Sequence, residues 1–316
     1  MNQQGVRIKG LRVILLSSVL VLLFVVSVSG EQYSDVASIF DLGMGARPLA
    51  MGGAFVGFVD DGNALFYNPA GLAWTHGLSV LSSYESRLGT ASYGNLSASL
   101  PHFGFGVHYF DFGDVPETDE FGNVLGTFGY RNYALIAAAG IKAGDIPFLA
   151  RMPLAENIGL GLKAKILKIS TLAPGSGTGF AIDLPFLFRS ESPSPRVPII
   201  TSYGFGIVIE NLIGLPIKYT SGRQESWPRM LIIGASFELM NQVILAMDVT
   251  SEKSVRFGVE WTPISAVSFR TGFKNEGVWI WSLGMGFRFR NFVLDLAVVP
   301  HSYLNSQIRG SLAVSW

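Results

Sequence analysis

The sequence predicts an all-β fold: a single 14-stranded antiparallel transmembrane β-barrel with an N-terminal lumenal plug. Three observations lead there. From residue 77 onward the chain falls into segments of about ten residues divided by Gly, Pro, Asn, Asp and Ser, the spacing expected of barrel strands. The later segments alternate strictly, so apolar and polar side chains take opposite faces of a strand. Mean hydropathy is high at +0.38 and the charged fraction low at 15%. Yet only residues 13–28 form an apolar run near the roughly 20 residues of a membrane helix. A chain of this kind that spans a bilayer does so with strands.

Residues 1–30 read as an export signal. Arg7, Lys9 and Arg12 give a positive start, residues 13–28 are apolar apart from Ser17, Ser18 and Ser27, and Val28-Ser29-Gly30 offers small residues for cleavage before Glu31. Residues 31–76 are assigned to the plug and 77–316 to the barrel. Within the plug, residues 43–74 are rich in Gly and Ala, including Gly52 and Gly53, and lack alternation. Asp60-Asp61-Gly62 breaks the chain and offers carboxylate caps to a helical turn over residues 63–67. Asn68 caps a second turn, Pro69 is pre-set for its first position, Ala70 follows, and Gly71 permits an early exit. Such short turns do not fold alone and must be packed inside something.

The clearest strand is residues 278–290. Trp279, Trp281, Leu283, Met285, Phe287 and Phe289 share one face, opposite Ser282, Gly284, Gly286, Arg288 and Arg290. Fourteen such segments are counted: 77–85, 91–100, 103–112, 128–141, 157–169, 178–188, 200–211, 229–238, 241–250, 254–262, 265–273, 277–289, 291–299 and 305–316. An even number places both termini on one side. The turns at Met240, Pro263-Ile264 and Arg290 are then short periplasmic ones, and 113–127, 170–177, 212–228 and 300–304 are outer loops. Residues 142–156 and 189–199 are long for the periplasmic side; either the register slips in that half or these segments fold under the barrel. In the last strand Ile308, Gly310, Leu312, Val314 and Trp316 share a face, and the terminal Trp316 suits both an interfacial aromatic belt and a signal for barrel assembly. A soluble β-sandwich or propeller also alternates, and alternation does not orient the faces. The export-type start, low charge and aromatic ending favour the membrane barrel.

Little in the chain suggests chemistry. Gly175-Ser-Gly-Thr-Gly179 lacks the lysine of a phosphate loop. His76, His102, His108 and His301 have no metal-ligand spacing, Asp60-Asp61 at a turn reads as capping, and no nucleophile motif is present. Without cysteine there are no disulfides, thiol nucleophiles or cysteine ligands, and zero formal net charge gives no basic face for nucleic acid. The expectation is no enzyme, no cofactor and no metal. What remains is a charged set, Arg256, Glu260, Arg270, Lys274, Arg288, Arg290, Asp295 and Arg309, on the polar faces of five consecutive strands, with Glu210 and Asp248 as possible additions. Inside a barrel these groups brace the wall, line a substrate track, or satisfy backbone groups of the plug.

The ordered set Gly45-Ala-Arg47, residues 50–55 (Ala-Met-Gly-Gly-Ala-Phe), Asp60-Asp61 and residues 68–72 (Asn-Pro-Ala-Gly-Leu) resembles the N-terminal signature of FadL/TodX-type outer-membrane barrels, nearest the PorV/PorQ branch. The FadL/TodX resemblance implies passage of fatty acids or hydrocarbons past a yielding plug, with Leu65, Phe66, Tyr67, Leu72 and Trp74 facing a greasy pocket. Similarity to PorV/PorQ implies instead a non-transporting outer-membrane partner for secreted or surface proteins. The partners implied are outer-membrane lipid, the barrel-assembly machinery and either a hydrophobic small molecule or a secreted protein.

Overall fold

Alternation at period two closes the chain on itself. The computed structural model describes residues 38–87, 91–171, 175–190, 199–300 and 306–316. Fourteen long strands follow one another: β1 Ser79–Arg87, β2 Ala91–Leu100, β3 Phe103–Thr118, β4 Val124–Lys142, β5 Ile158–Ser170, β6 Gly177–Ser190, β7 Ile200–Tyr219, β8 Met230–Leu239, β9 Val243–Thr250, β10 Val255–Ile264, β11 Val267–Asn275, β12 Trp279–Phe289, β13 Phe292–Val299 and β14 Gln307–Ser315. Each pairs antiparallel with its sequence neighbours, and β1 pairs with β14, Val80 opposite Val314, so no edge is left open along the wall. Gln224–Glu225 adds a two-residue pairing to β7. The chain enters and leaves the barrel at one end, called here the near end. There Met240 and Asn241, both at φ 54°, and Arg290 at φ 52° reverse the chain sharply.

The faces are oriented as a bilayer requires. On β12 Trp281 and Leu283 are 46% and 47% exposed, while Ser282 between them is 3% exposed. The same inversion holds on β10, β11, β13 and β14: Trp261, Phe269, Leu294 and Leu312 look out, and Glu260, Arg270, Asp295 and Arg309 are buried inside. A soluble sandwich or barrel would bury the aromatic set and expose the charges. This exterior is a continuous apolar belt.

The interior is filled by the N-terminal block. Residues 38–76 form three short helices, α1 Ser38–Asp41, α2 Ala46–Ala50 and α3 Ala64–Tyr67, then a 3-10 helix Pro69–Trp74. They pack against the inner faces of the strands, and the main core, with Met44, Phe55, Leu65 and Leu72 meeting Leu81, Ile136 and Leu187, lies between plug and wall. Glycine makes that approach possible at both surfaces. Gly52 sits at φ 64°, and a Cβ there would stand 2.7 Å from the Phe273 backbone nitrogen; a Cβ on Gly258 of the wall would stand 2.6 Å from the Met51 carbonyl oxygen. A side chain at either position would push the two backbones apart.

Several expectations require correction. The stretches 113–127 and 212–228 are not loops: β3 runs to Thr118 and β4 starts at Val124, while β7 runs to Tyr219, so both are hairpins rising above the far end. The register does not slip at residues 142–156. This segment folds at the near end through 3-10 turns Ala143–Asp145 and Ala155–Asn157, whose Ala143 and Ala155 are buried. Gly71 is not an exit, because the 3-10 helix continues to Trp74; a Cβ at Gly71 would run into the Val59 side chain. Arg288 and Arg290 are exposed at the near end and take no part in the lumen. Arg290 occupies the turn itself and lies over the Phe289 ring. The export signal, residues 191–198 and residues 301–305 with His301 lie outside the described residues.

Candidate functional site

The charged faces of the late strands converge on the plug. Arg47, in α2, points its guanidinium at the wall: Nε and Nη2 donate to the two Glu260 oxygens at 2.7 and 2.8 Å, while Nη1 donates to Asp60 at 2.6 Å and Asp61 at 2.7 Å. Asp60 and Asp61 therefore do not point apart as adjacent turn residues are expected to do; one cation draws both inward. Asp61 Oδ1 accepts from the Asn63 amide at 2.8 Å and so closes the turn ahead of α3, but α3 itself has no side-chain cap, contrary to expectation. Glu260 is shared with Arg270 (2.5 Å), which reaches on to Asp295 at 2.7 Å. The chain from Asp61 to Asp295 thus crosses from plug to wall through five charge-assisted contacts, the strong class of hydrogen bond. Arg47 also stacks near the Phe55 and Phe58 rings, at 5.5 and 5.1 Å.

Elsewhere wall side chains satisfy plug backbone directly. Arg309, fully buried and paired with Glu85 at 2.7 Å, donates to the carbonyls of Leu42, Gly43 and Gly45 at 2.7, 3.2 and 3.3 Å. Lys163 donates to the Phe66 carbonyl at 2.8 Å and pairs with Asp183, which also holds Lys165. Asp248 accepts from the amides of Phe55 and Val56 at 2.8 and 3.0 Å. Ser236 donates to Gly57 and Ser282 to Ala50. Asn68 works inside the plug and across to the wall: its oxygen accepts from the Ala70 amide at 3.2 Å, and its nitrogen donates to the carbonyls of Val56 (2.8 Å) and Phe186 (3.0 Å). Short irregular segments leave backbone groups unpaired, and buried ones must find partners. The expected lumen charges divide between the roles open to them: Arg309 and Asp248 bond plug backbone and Glu260 holds Arg47, Arg270 and Asp295 brace the wall, and Arg256 and Lys274 face the space above the plug.

Above the plug, toward the far end, a vestibule of about 840 Å³ remains. Phe40, Leu42, Leu49, Val56, Phe66 and Tyr67 line its floor, and Met230, Ile232 and Ile280 contribute apolar wall. Arg256, lying beside Gly53, and the Lys274–Glu276 ion pair stand on its rim with Glu210 and Glu252. Asp41 at the end of α1 looks into the space. Enclosure by the wall, and then the Glu210 charge, push its pKa up to about 6, against a weaker opposing pull from Lys274. The volume lies within the range of small-molecule pockets.

The five apolar residues expected to face one pocket do not. Phe66 and Tyr67 line the vestibule, but Leu65 and Leu72 are fully buried against the wall beside Gly104 and Gly106, and Trp74 lies at the near end against Gly159 and below Lys142. Successive residues of a helical turn diverge by about 100°, so Leu65, Phe66 and Tyr67 cannot all share one surface. Sequence reasoning also missed Lys163, Lys165, Asp183, Glu85 and the role of Arg47. The one available signal was the pair Lys163 and Lys165, two apart and hence on one strand face.

No family model matches the chain, and no curated protein matches it in sequence. Solved structures resemble it. The toluene transporter TodX of Pseudomonas putida aligns with TM-score 0.56 at 12% identity, covering 86% of this chain and 98% of that one. The monoaromatic hydrocarbon channel CymD aligns with TM-score 0.58 at 14% identity, covering 87% and 98%. A Pseudomonas aeruginosa FadL homologue gives 0.50 at 11% identity, covering 86% and 98%. The structural neighbours are barrels of the FadL/TodX kind, and at these identities the likeness is one of fold.

Proposed function

We propose that this chain is an outer-membrane channel of the FadL/TodX kind, exported by a cleaved signal at residues 1–30, that admits hydrophobic small molecules from outside and gates them with its plug. The near end is then periplasmic and the far end outside, with the apolar belt in lipid. The observation that carries the reading is the apolar-floored vestibule, large enough for a monoaromatic hydrocarbon or part of an acyl chain, set directly on plug residues Phe66 and Tyr67. TodX and CymD, whose folds this chain shares, are described as a toluene transporter and a monoaromatic hydrocarbon channel. Cells expressing the protein are expected to take up labelled toluene or a labelled fatty acid faster than cells without it. Leu49→Trp, which narrows the vestibule at its floor, is expected to reduce that gain at unchanged folded amount. Uptake no faster than in cells lacking the protein would overturn the reading. The second reading, a PorV/PorQ-like partner for secreted or surface proteins, is favoured by one observation: two hairpins rise above the far end of the wall.

A further inference from the structure

The hairpin of β3 and β4 outgrows the barrel. Its pairing to β2 ends at Asp111 opposite Ser92, and its pairing to β5 ends at Arg131 opposite Ser170. Beyond those points it is a two-stranded ribbon whose edges have no ladder partner among the described residues, a form of marginal stability by itself. Its tip is nonetheless built. Asp119 Oδ1 accepts from the amides of Phe121 and Asn123 at 2.9 and 2.8 Å, its other oxygen accepts from the Asn123 side chain at 2.8 Å, and Gly122 turns at φ 84°. That turn presents Phe121, Val124 and Leu125, which are 82%, 67% and 66% exposed.

Charge on the ribbon is one-sided. Residues 111–131 carry Asp111, Asp114, Glu117, Asp119 and Glu120 against the single cation Arg131, in a chain whose formal charge balances to zero. Acidic groups and Pro116 on a free edge could serve only to discourage strand pairing, but such protection does not explain three large apolar side chains at the tip. An anionic lipid or lipopolysaccharide surface would be repelled by these carboxylates. An apolar tip on an acidic stem matches an apolar hollow rimmed by lysine and arginine, the arrangement of a buried anchor inside a polar rim.

We propose that the ribbon of residues 111–131 is a docking element for a basic polypeptide outside the cell, with Phe121 as its anchor. The proposal rests on the partner reading and not on transport. It is tested on whole cells by placing a photo-crosslinking amino acid at Phe121 and, in a separate variant, at Arg223 in the far-end turn that follows β7, where Ile217 pairs with Glu225. The expected result is a crosslinked polypeptide of basic charge at position 121, identified by mass spectrometry. Its yield should fall at least tenfold in Asp114→Asn/Glu117→Gln/Glu120→Gln and at raised salt, with the folded amount unchanged because these residues lie beyond the wall. Crosslinking only to lipopolysaccharide, no crosslink, or a yield indifferent to charge would overturn it. A polypeptide captured at position 223 alone would overturn the assignment to this ribbon while leaving the partner reading intact.

Discussion

Glu260→Gln is the sharpest perturbation of the seated plug. Glu260 accepts three charge-assisted hydrogen bonds, two from Arg47 and one from Arg270, at 2.5–2.8 Å. A glutamine keeps one acceptor oxygen and turns its amide N–H groups toward a guanidinium, so two buried cations lose their shared counter-charge. Breaking a buried pair from one side costs about 3–5 kcal/mol. At 1.4 kcal/mol per decade, if that cost falls on the seat, the unseated population rises by about two to three and a half powers of ten. Single-channel recording of the purified protein in a planar bilayer reads this directly as the frequency of open events. Because Arg270 and Asp295 belong to the wall, thermal unfolding is followed in parallel to separate plug release from barrel loss. Asp60→Asn is the internal contrast: its carboxylate is 34% exposed, and the loss is expected to stay within about 1 kcal/mol. Unchanged opening in Glu260→Gln, with the barrel still folded, would refute the claim that this ion chain holds the plug.

Asn68→Ala removes a cap worth about 1 kcal/mol and strips a donor from two carbonyls, at about 1–3 kcal/mol for each one left unpaired. Uptake of a hydrophobic probe is expected to change more than folded amount does, and equal uptake would count against gating. Asp41 gives a pH signature: an acid whose pKa in the seated plug is raised from 3.8 to about 6 binds its proton more readily there than when released. The seat is then firmer below about pH 4 and weakens as pH rises through 4 to 6, with no further change from this group above that. Asp41→Asn should flatten that part of the opening-versus-pH curve, and superposable curves for the two proteins would exclude Asp41 as its source. Deleting Trp316, whose amide donates to the Leu78 carbonyl at 2.8 Å where β14 meets the start of β1, should lower the folded outer-membrane amount; unchanged levels on quantitative blotting would remove its assembly role.

The wall was legible because a strand of a plugged membrane barrel has two unlike surroundings. In β10 to β14 one face meets the outside and the other carries buried charged side chains, so the residues alternate cleanly and the strand limits were read within about two residues. In β4 to β7 the inner face mixes apolar residues with a few buried charges such as Lys163 and Asp183. Ala134, Leu167, Ala181 and Ile217 cluster with Ile39 of the plug and Trp227, so alternation fades and the hairpin extensions were taken for loops. The Asn68-Pro69 turn was legible because capping is local chemistry. The ion chain was not, because Arg47 and Glu260 are 213 residues apart and only barrel closure around the plug brings them together. Consecutive apolar residues in the plug likewise gave no hint of which would meet the wall and which the vestibule.

The position of the plug can be fixed covalently, since the chain has no cysteine of its own. A Cβ at Gly62, in the turn that carries the Arg47 partners, would stand 3.6 Å from the Leu81 Cβ on β1, close to the usual disulfide separation of about 3.8 Å. Uptake of a hydrophobic probe by cells carrying Gly62→Cys/Leu81→Cys, measured before and after reduction, tests seat and gate together. The 62–81 disulfide is expected to form in the folded protein and to hold uptake down until reductant restores it. A folded barrel in which the pair stays unlinked, or a linked one that transports at full rate, would contradict the account.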